Sequence, residues 1–368
     1  MNIGIPKEIK AQENRVSMIP GSVADLVKRG HRVLVERGAG VGASYTDEHY
    51  LAAGAEIVDD AKSVFEGAEL IVKVKEPQPV EVAMLTPKHT LFTYLHLAAD
   101  QALTESLMSS GCTAIAYETI EVNRRLPLLE PMSEIAGRMS AIVGSYHLAK
   151  HRGGRGCLLG GVPGVAPGRV VVIGGGTAGV NAARVATGIG ADVTILEVDF
   201  ERMRFLDITM AGASTVYSSE ANLSELLPRV DLLIGAVLVP GAKAPKLVTR
   251  EMLRMMSPGS VFVDIAVDQG GCSVTTRATT HENPTYVEEG VLHYCVANMP
   301  GAYSRTATQA LNNVTHTWTQ LIADNGVAAA CGRRRELISG INVRAGKLTC
   351  KPVAEAHGLE FTDLAGLA

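Results

Sequence analysis

The sequence has few cysteines and no long hydrophobic run. Its six cysteines form no C-x-x-C pair, which argues against a zinc cluster or a dithiol redox motif, and we expect free thiols in a reducing compartment. The N-terminal stretch "MNIGIPKEIKAQENR" is charged within ten residues and lacks the apolar core of a signal peptide. No apolar run is long enough to cross a bilayer. These absences predict a cytoplasmic protein without a membrane partner.

A strong excess of one charge sign is also absent. The formal net charge is −4 and the pI is near 6.2, so nothing indicates a nucleic-acid partner or binding to an anionic membrane. With 368 residues, the chain is long enough for about two domains and for a large buried core without disulfides. The cysteine spacing also predicts no metal site.

Short apolar runs alternate with helical stretches through the first third and again through the middle third of the chain, which favours parallel sheets with helical crossovers. Between them, "EPMSEIAGRMSAIVGSYHLAKH" has apolar residues at helical spacing and predicts a long connecting helix. A second helix from about Thr306 is expected to return to the first domain, and the tail after Gly332 is expected to be less regular. We therefore predict an α/β fold: two doubly wound Rossmann-like domains joined by long helices, with the active site in the cleft between them. The predicted bounds are 1–128 plus 305–368 for the catalytic domain and 129–304 for the other.

A glycine-rich loop follows the apolar run "RVVVI" in the middle third. Gly174, Gly176 and Gly179 match G-x-G-x-x-G, between a β-branched strand and a helix, which is the context of the dinucleotide-binding fingerprint. The first glycine permits the tight turn, the second lets the backbone approach a pyrophosphate, and the third lets the helix pack on the strand. Backbone N–H groups at the helix start would then face the phosphates.

An acidic residue closes the strand after this helix. Glu197 lies about 20 residues beyond the loop, where a carboxylate can bind both ribose hydroxyls and repel a 2′-phosphate. Arg202 lies just beyond and would be able to favour NADP instead. The pattern favours NAD as the cofactor, and the alternative is a glycine-rich turn that binds no ligand.

Ionisable residues lie at or just after the predicted ends of several strands, where ligands of open parallel sheets bind: Arg15, Lys73, Lys75, His96, Glu118 and Asp268. Two-residue periodicity would place Lys73 and Lys75 on the same face of one strand. A guanidinium grips a carboxylate, an ammonium polarises a carbonyl, a histidine moves a proton and an aspartate orients water or ammonia. Each could instead be a surface charge or a core histidine. Together they favour NAD-dependent oxidation of a small α-amino or α-hydroxy acid.

The sequence resembles the alanine dehydrogenase family, which includes the NAD-binding subunit of proton-translocating transhydrogenase, over nearly its whole length. The alanine dehydrogenase branch is favoured because "KVKEP", "YLHLAA" and "DQGG" occur together. The stretches that carry the resemblance are "GIPKEIKAQENRV", "KVKEP", "LFTYLHLAA", "AYETIE", "LPLLEPMSEIAGRMS", "GGRGCLLGGVPGV", "GAVLVPGAKAPKLVT", "VDIAVDQGGC" and "VANMPGA".

The resemblance implies reversible oxidative deamination of L-alanine to pyruvate and ammonia with NAD, in a homohexamer. It implies that Arg15 binds the substrate carboxylate, Lys75 binds the substrate oxygen, and Met132 borders the substrate. His96 would be the general acid/base, and Asp268 would handle water or ammonia. The implied cofactor-binding residues are Ser133, Gly174, Gly176, Thr177, Ala178, Gly179, Glu197, Arg202, Ser218, Val237, Leu238, Ile265 and Asn298.

The sequence departs from the family pattern at two places. Glu197 stands where aspartate is expected, and "YSRTATQ" follows "NMPGA" where family members often have Val-Pro. The glutamate preserves the carboxylate and with it the preference for NAD, and the second departure bears on a loop. Two alternatives remain: a transhydrogenase-like NAD-binding subunit with a membrane partner, and a non-catalytic NAD-binding protein.

Overall fold

A computed structural model describes residues 1–237 and 244–364. The chain divides into two compact units. The first unit comprises Met1–Met132 and Gly301–Ala368, and the second comprises Ser133–Pro300. These divisions fall four residues from each boundary expected from the sequence. Within the described ranges, no helix has both the length and the apolar character needed to cross a membrane.

The two sheets contain fifteen strands among the described residues. In chain order they are β1 (Asn2–Ile5), β2 (Arg32–Glu36), β3 (Glu56–Val58), β4 (Leu70–Val72), β5 (Thr90–Thr93), β6 (Thr113–Ala116), β7 (Arg169–Ile173), β8 (Asp192–Glu197), β9 (Ala213–Tyr217), β10 (Leu232–Gly235), β11 (Val261–Asp264), β12 (Thr285–Glu288), β13 (Val291–Tyr294), β14 (Ile341–Arg344) and β15 (Lys347–Leu348).

The α-helices connect these strands. They are α1 (Pro20–Lys28), α2 (Asp47–Ala52), α3 (Ala61–Gly67), α4 (Pro79–Val82), α5 (Gln101–Ser110), α6 (Glu130–His147), α7 (Thr177–Gly188), α8 (Phe200–Thr209), α9 (Glu220–Leu226), α10 (Arg250–Met255), α11 (Ser304–Arg333), α12 (Leu337–Gly340) and α13 (Lys351–His357). Helix α6 is the predicted connecting helix. Helix α11 is the predicted return helix, and it is interrupted at Gly326, whose φ is 71°.

The first unit is built on an eight-stranded sheet in the order β15-β14-β6-β5-β4-β1-β2-β3. Strands β3, β2, β1, β4, β5 and β6 are parallel, whereas β14 runs antiparallel to both β6 and β15. The order of the parallel strands reverses between β1 and β4, which is the position where doubly wound sheets bind ligands. The loop after β1 and the segment after β4 therefore define the candidate substrate site.

The second unit has a seven-stranded sheet in the order β12-β13-β11-β10-β7-β8-β9, parallel except for β12. Its order reverses between β7 and β10, beside the glycine-rich loop. Alternate residues of β7 enter two different core clusters, Val170 and Val172 in one and Val171 and Ile173 in the other. Burial on both faces explains why this strand is a continuous apolar run.

Two sequence-based expectations about the strands were wrong. The run "ELIVKVKEP" forms a strand only over Leu70–Val72, so Lys73 and Lys75 follow the strand instead of sharing one of its faces. The tail after Gly332 was expected to be irregular. It forms α12, β14, β15 and α13, and its two strands extend the first sheet at one edge.

Candidate active site

Arg15 is a buried residue in the loop after β1, with only 2 % of its surface exposed. Its Nε donates to Oε1 of Glu13 at 2.7 Å, its Nη2 donates to Oε2 at 2.6 Å, and its Nη1 lies 3.1 Å from Sδ of Met132. Burial alone would lower the pKa of Arg15, but the charge and hydrogen bonds of Glu13 raise it above the usual value. Arg15 is thus a fixed guanidinium beside Met132, and Glu13 is a partner that the sequence analysis missed.

Lys73 is part of a buried ion-pair cluster. Its Nζ donates to Glu8 at 3.0 Å and to Glu81 at 2.7 Å, and all three side chains are almost fully buried. Glu8 also accepts a hydrogen bond from the backbone N–H of Val74 at 2.6 Å. Burial raises the pKa of Glu8, although Lys73 and the Val74 N–H oppose the rise. Lys73 therefore fixes the segment after β4 and has a structural role.

Lys75 lies in the same segment and is 6 % exposed. Its backbone is held on both sides, because its N–H faces Oε1 of Glu8 at 3.4 Å and its carbonyl accepts the hydroxyl of Thr93 at 2.9 Å. The Glu8–Lys73 pair thus helps to place the residue that the family resemblance assigns to the substrate.

His96 has a left-handed backbone, with φ of 52° and ψ of 33°. The carboxylate of Glu118, just beyond β6, accepts the N–H groups of Leu95 at 3.1 Å and of His96 at 2.6 Å, which would otherwise be unpaired after β5 ends. The Nδ1 atom of His96 lies 3.3 Å from Oε2 of Glu76. Carboxylates thus hold both the backbone and the ring of His96.

Glu76 also pairs with Lys10 through its other oxygen. Burial would raise the pKa of Glu76, but the His96 hydrogen bond and the charge of Lys75 lower it below its usual range. Glu76 is therefore a carboxylate anion at neutral pH. Glu76 lies within "KVKEP", and no role was predicted for it from the sequence.

The three glycines of the loop in the second unit differ in backbone conformation and in the space around them. Gly174 has φ of 101°, in the left-handed region. A Cβ on Gly179 would lie 1.8 Å from the carbonyl oxygen of Gly174, so only glycine lets α7 pack this closely. A Cβ on Gly176 would meet no atom within 4 Å, so the loop is open where a phosphate would approach. Thr177 and Ala178 begin α7 directly after this loop.

Glu197, the last residue of β8, contacts the same loop. Its Oε2 accepts the Gly175 N–H at 2.8 Å, and its Oε1 accepts the N–H groups of Val198 at 2.7 Å and Asp199 at 3.1 Å. Arg202 reaches the loop from α8, and its Nε donates to the Gly175 carbonyl at 2.6 Å. Glu197 and Arg202, whose side chains bear on the choice between NAD and NADP, therefore both lie beside the glycine loop.

Asp268 lies in a short 3₁₀ helix, Ile265–Gln269, immediately after β11. It is exposed, and its Oδ2 lies 3.4 Å from the backbone N of Asn298, which has a left-handed φ of 61°. Asp264, by contrast, is fully buried and anchors this turn: its Oδ1 accepts the N–H of Ala266, and its Oδ2 accepts the N–H of Cys272 and the hydroxyl of Thr276. The exposed aspartate is thus held at the end of a rigid turn.

The remaining expected cofactor residues of the second unit follow the carboxyl ends of its strands. Ser218 follows β9 and donates its N–H to the carbonyl of Glu197 at 2.8 Å. Val237 follows β10, Ile265 follows β11, and Asn298 lies beyond β13. These strands are parallel, so the four residues lie along the edge that carries the glycine loop. Ser133 is a half-buried residue of α6, and Leu238 lies outside the described residues.

Comparisons with known proteins show which family the chain belongs to. The family described as "Alanine dehydrogenase/PNT, N-terminal domain" matches residues 4–136, and "Alanine dehydrogenase/PNT, C-terminal domain" matches residues 140–351. The chain is 54 % identical to alanine dehydrogenase of Halomonas elongata over 100 % of both chains. It is 52 % identical to that of Bacillus subtilis over 98 % of this chain and 96 % of the relative.

The chain belongs to the alanine dehydrogenase/PNT family.

Solved structures place this member within the fold of the alanine dehydrogenase/PNT family. A structure titled L-alanine dehydrogenase superposes with a TM-score of 0.93 at 49 % identity, covering 97 % of this chain and 99 % of that one. A transhydrogenase from Sinorhizobium meliloti superposes with a TM-score of 0.83 at 24 % identity, covering 95 % and 100 %. The second likeness concerns the fold alone. The prediction of two Rossmann-like domains is therefore confirmed.

Proposed function

We propose that this chain is an NAD-dependent alanine dehydrogenase, which converts L-alanine reversibly to pyruvate and ammonia. The observation that carries the proposal is the full-length similarity, at about half identity, to proteins named alanine dehydrogenase. A buried arginine after β1, a lysine after β4 and a histidine after β5 would supply the groups that a small amino acid requires.

The first unit would bind and orient the substrate. Arg15 would bind the substrate carboxylate through its guanidinium, which Glu13 holds in place at Nε and Nη2. Met132, beside Nη1, would border the side chain and favour a small group such as methyl. Lys75 would donate to the pyruvate carbonyl oxygen and stabilise the negative charge that develops there.

His96 would move the proton, and Asp268 would orient water or ammonia. In deamination, His96 would accept a proton from the water that adds to the oxidised substrate, and it would return a proton as ammonia leaves. Asp268 accepts hydrogen bonds as a carboxylate and is exposed on its turn, so it is accessible to a small polar reactant. Both roles rest on side-chain chemistry and on the family resemblance.

NAD fits the geometry of the second unit. The open position at Gly176 and the helix start at Thr177 suit a pyrophosphate, and Glu197 suits a ribose diol. Ser133, Ala178, Ser218, Val237, Leu238, Ile265 and Asn298 would complete the binding surface, and Arg202 would hold the loop. When bound, NAD supplies the acceptor for the hydride that leaves Cα of alanine.

The assembly and the location of the protein are also part of the proposal. The family resemblance supports a homohexamer. All six cysteines are free thiols, which supports a reducing cytoplasm.

The test is NADH absorbance with L-alanine and NAD at alkaline pH, with NADP, L-serine, L-lactate and a substrate-free sample as comparisons. NADH formation with L-alanine and NAD, and much less with the others, is the expected result. NAD binding without turnover of any amino acid would favour the transhydrogenase-like or non-catalytic alternative instead.

A further inference from the structure

We propose that Glu76 is a positioning residue that holds the proton of neutral His96 on Nδ1 and stabilises the imidazolium form, so that Nε2 is the atom that exchanges protons with the substrate. This inference rests on the proposed function, because it assigns the partner of the proposed acid/base. It starts from the contact between Nδ1 of His96 and Oε2 of Glu76 at 3.3 Å.

The chemistry of the two groups decides which ring nitrogen carries the proton. A carboxylate anion only accepts hydrogen bonds, so Nδ1 must donate, and neutral His96 therefore has its lone pair on Nε2. When Nε2 takes a proton from water or an amine, Nδ1 keeps its own proton and the ring becomes an imidazolium. The nearby anion of Glu76 stabilises that positive charge.

Glu76 is itself held in place. Its second oxygen pairs with Lys10, and only 13 % of its side chain is exposed, against 34 % for His96. Glu118 fixes the backbone of His96 through the N–H groups of Leu95 and His96. The carboxylate of Glu76 therefore holds the ring of His96, and a different carboxylate, that of Glu118, holds its main chain.

Other groups near His96 in the first unit act on its charge less directly. Tyr94 presents its ring 5.8 Å from the imidazole and donates its hydroxyl to Leu128, and burial raises its pKa, so it stays neutral. His357 is hydrogen-bonded to the carbonyl of Leu97. Among the described residues, Glu76, Glu118 and Tyr94 contact His96, Lys10 and Lys75 act on Glu76, and His357 contacts the neighbouring Leu97.

The decisive variant is Glu76→Gln, which preserves the shape and removes the negative charge. We expect the plateau of kcat for alanine oxidation to fall about tenfold to a hundredfold, part of the contribution of a positioned acid/base. The acid limb of the pH profile should move to lower pH, because the imidazolium form loses the anion that stabilises it. The KM for L-alanine should change less than about threefold, since Arg15, the proposed ligand of the substrate carboxylate, is held by Glu13.

The matched control is Glu56→Gln. This substitution removes one negative charge from the same unit, as Glu76→Gln does. Glu56, however, is half exposed and pairs with Arg32 on the surface. Its pH profile and kcat should equal those of the unsubstituted protein. A Glu76→Gln variant with an unshifted acid limb would overturn the proposal, and so would a raised KM with unchanged kcat, because that result would mean that Glu76 acts through Lys75.

A measurement without turnover separates this inference from the proposed function. Diethyl pyrocarbonate modifies neutral imidazole, so its rate against pH, followed on the peptide that contains His96, reports how readily that ring takes up a proton. The midpoint of this rate profile should lie at lower pH in Glu76→Gln than in the unsubstituted protein. An equal midpoint in both refutes the role of Glu76 even in an active enzyme, and a shifted midpoint in a protein that does not oxidise alanine refutes only the proposed function.

Discussion

The substitution Gly179→Ala tests the packing of the glycine loop most directly. The added Cβ would lie 1.8 Å from the carbonyl oxygen of Gly174 and 3.0 Å from its carbonyl carbon. Both atoms belong to the backbone of the turn after β7, so no side chain can rotate away. To restore even a 3.0 Å contact, the start of α7 would have to retreat by about 1.2 Å.

The expected cost follows from two opposing terms. Forcing extra volume into a packed site costs about 1–3 kcal/mol, and a rigid backbone obstacle places this case near the upper end. Replacing glycine by alanine within a helix stabilises the folded state by up to about 1 kcal/mol. The net loss of unfolding free energy is then about 2 kcal/mol, which corresponds to a melting temperature about 4–8 °C lower for a unit of this size.

The assay is thermal unfolding with and without NAD, and Gly188→Ala is the control. Gly188 ends the same helix, and its Cβ would meet no atom within 4 Å, so this variant should unfold at the same temperature or slightly higher. Gly179→Ala should also lose most of the shift that NAD gives, because the displaced helix start is the expected phosphate site. Equal melting temperatures for the two variants would refute the packing argument.

Four further substitutions test the site. Arg15→Lys should raise the KM for L-alanine at least about tenfold in steady-state kinetics, since an ammonium lacks the paired donors of the guanidinium; an unchanged KM would reject the assignment. Glu197→Gln should raise the ratio of kcat/KM for NADP over NAD about tenfold or more, because the charge that repels a 2′-phosphate is gone; a constant ratio would exclude that role. Asp268→Asn should abolish turnover and leave the melting temperature like that of the unsubstituted protein. Asp264→Asn should lower the melting temperature, because a buried hydrogen-bond network is disturbed. A lower melting temperature for Asp268→Asn, together with lost turnover but normal unfolding for Asp264→Asn, would show that the two aspartates have been assigned the wrong way round.

The sequence predicted the features that depend on short-range spacing. The glycine loop, its strand and its helix follow one another within a few residues, so their order in the chain is already their order in the fold. The parallel strands of both sheets were predicted for a similar reason, because apolar runs separated by helices leave few other topologies. The strands β14 and β15 could not be found in this way, since both are short and β14 pairs with β6, which is distant in sequence.

The two lysines after β4 show why the details of the site could not be read from spacing. Alternation treats Lys73 and Lys75 as equivalent, but a buried ammonium is tolerated only where carboxylates compensate its charge. For Lys73 the carboxylates come from Glu8, 65 residues earlier, and from Glu81 in α4. No periodicity within "KVKEP" can indicate the first of these partners. What separates the structural lysine from the candidate substrate ligand is therefore the long-range pairing of Glu8, and a substitution of Glu8 should act on the stability of the segment before it acts on the chemistry of Lys75.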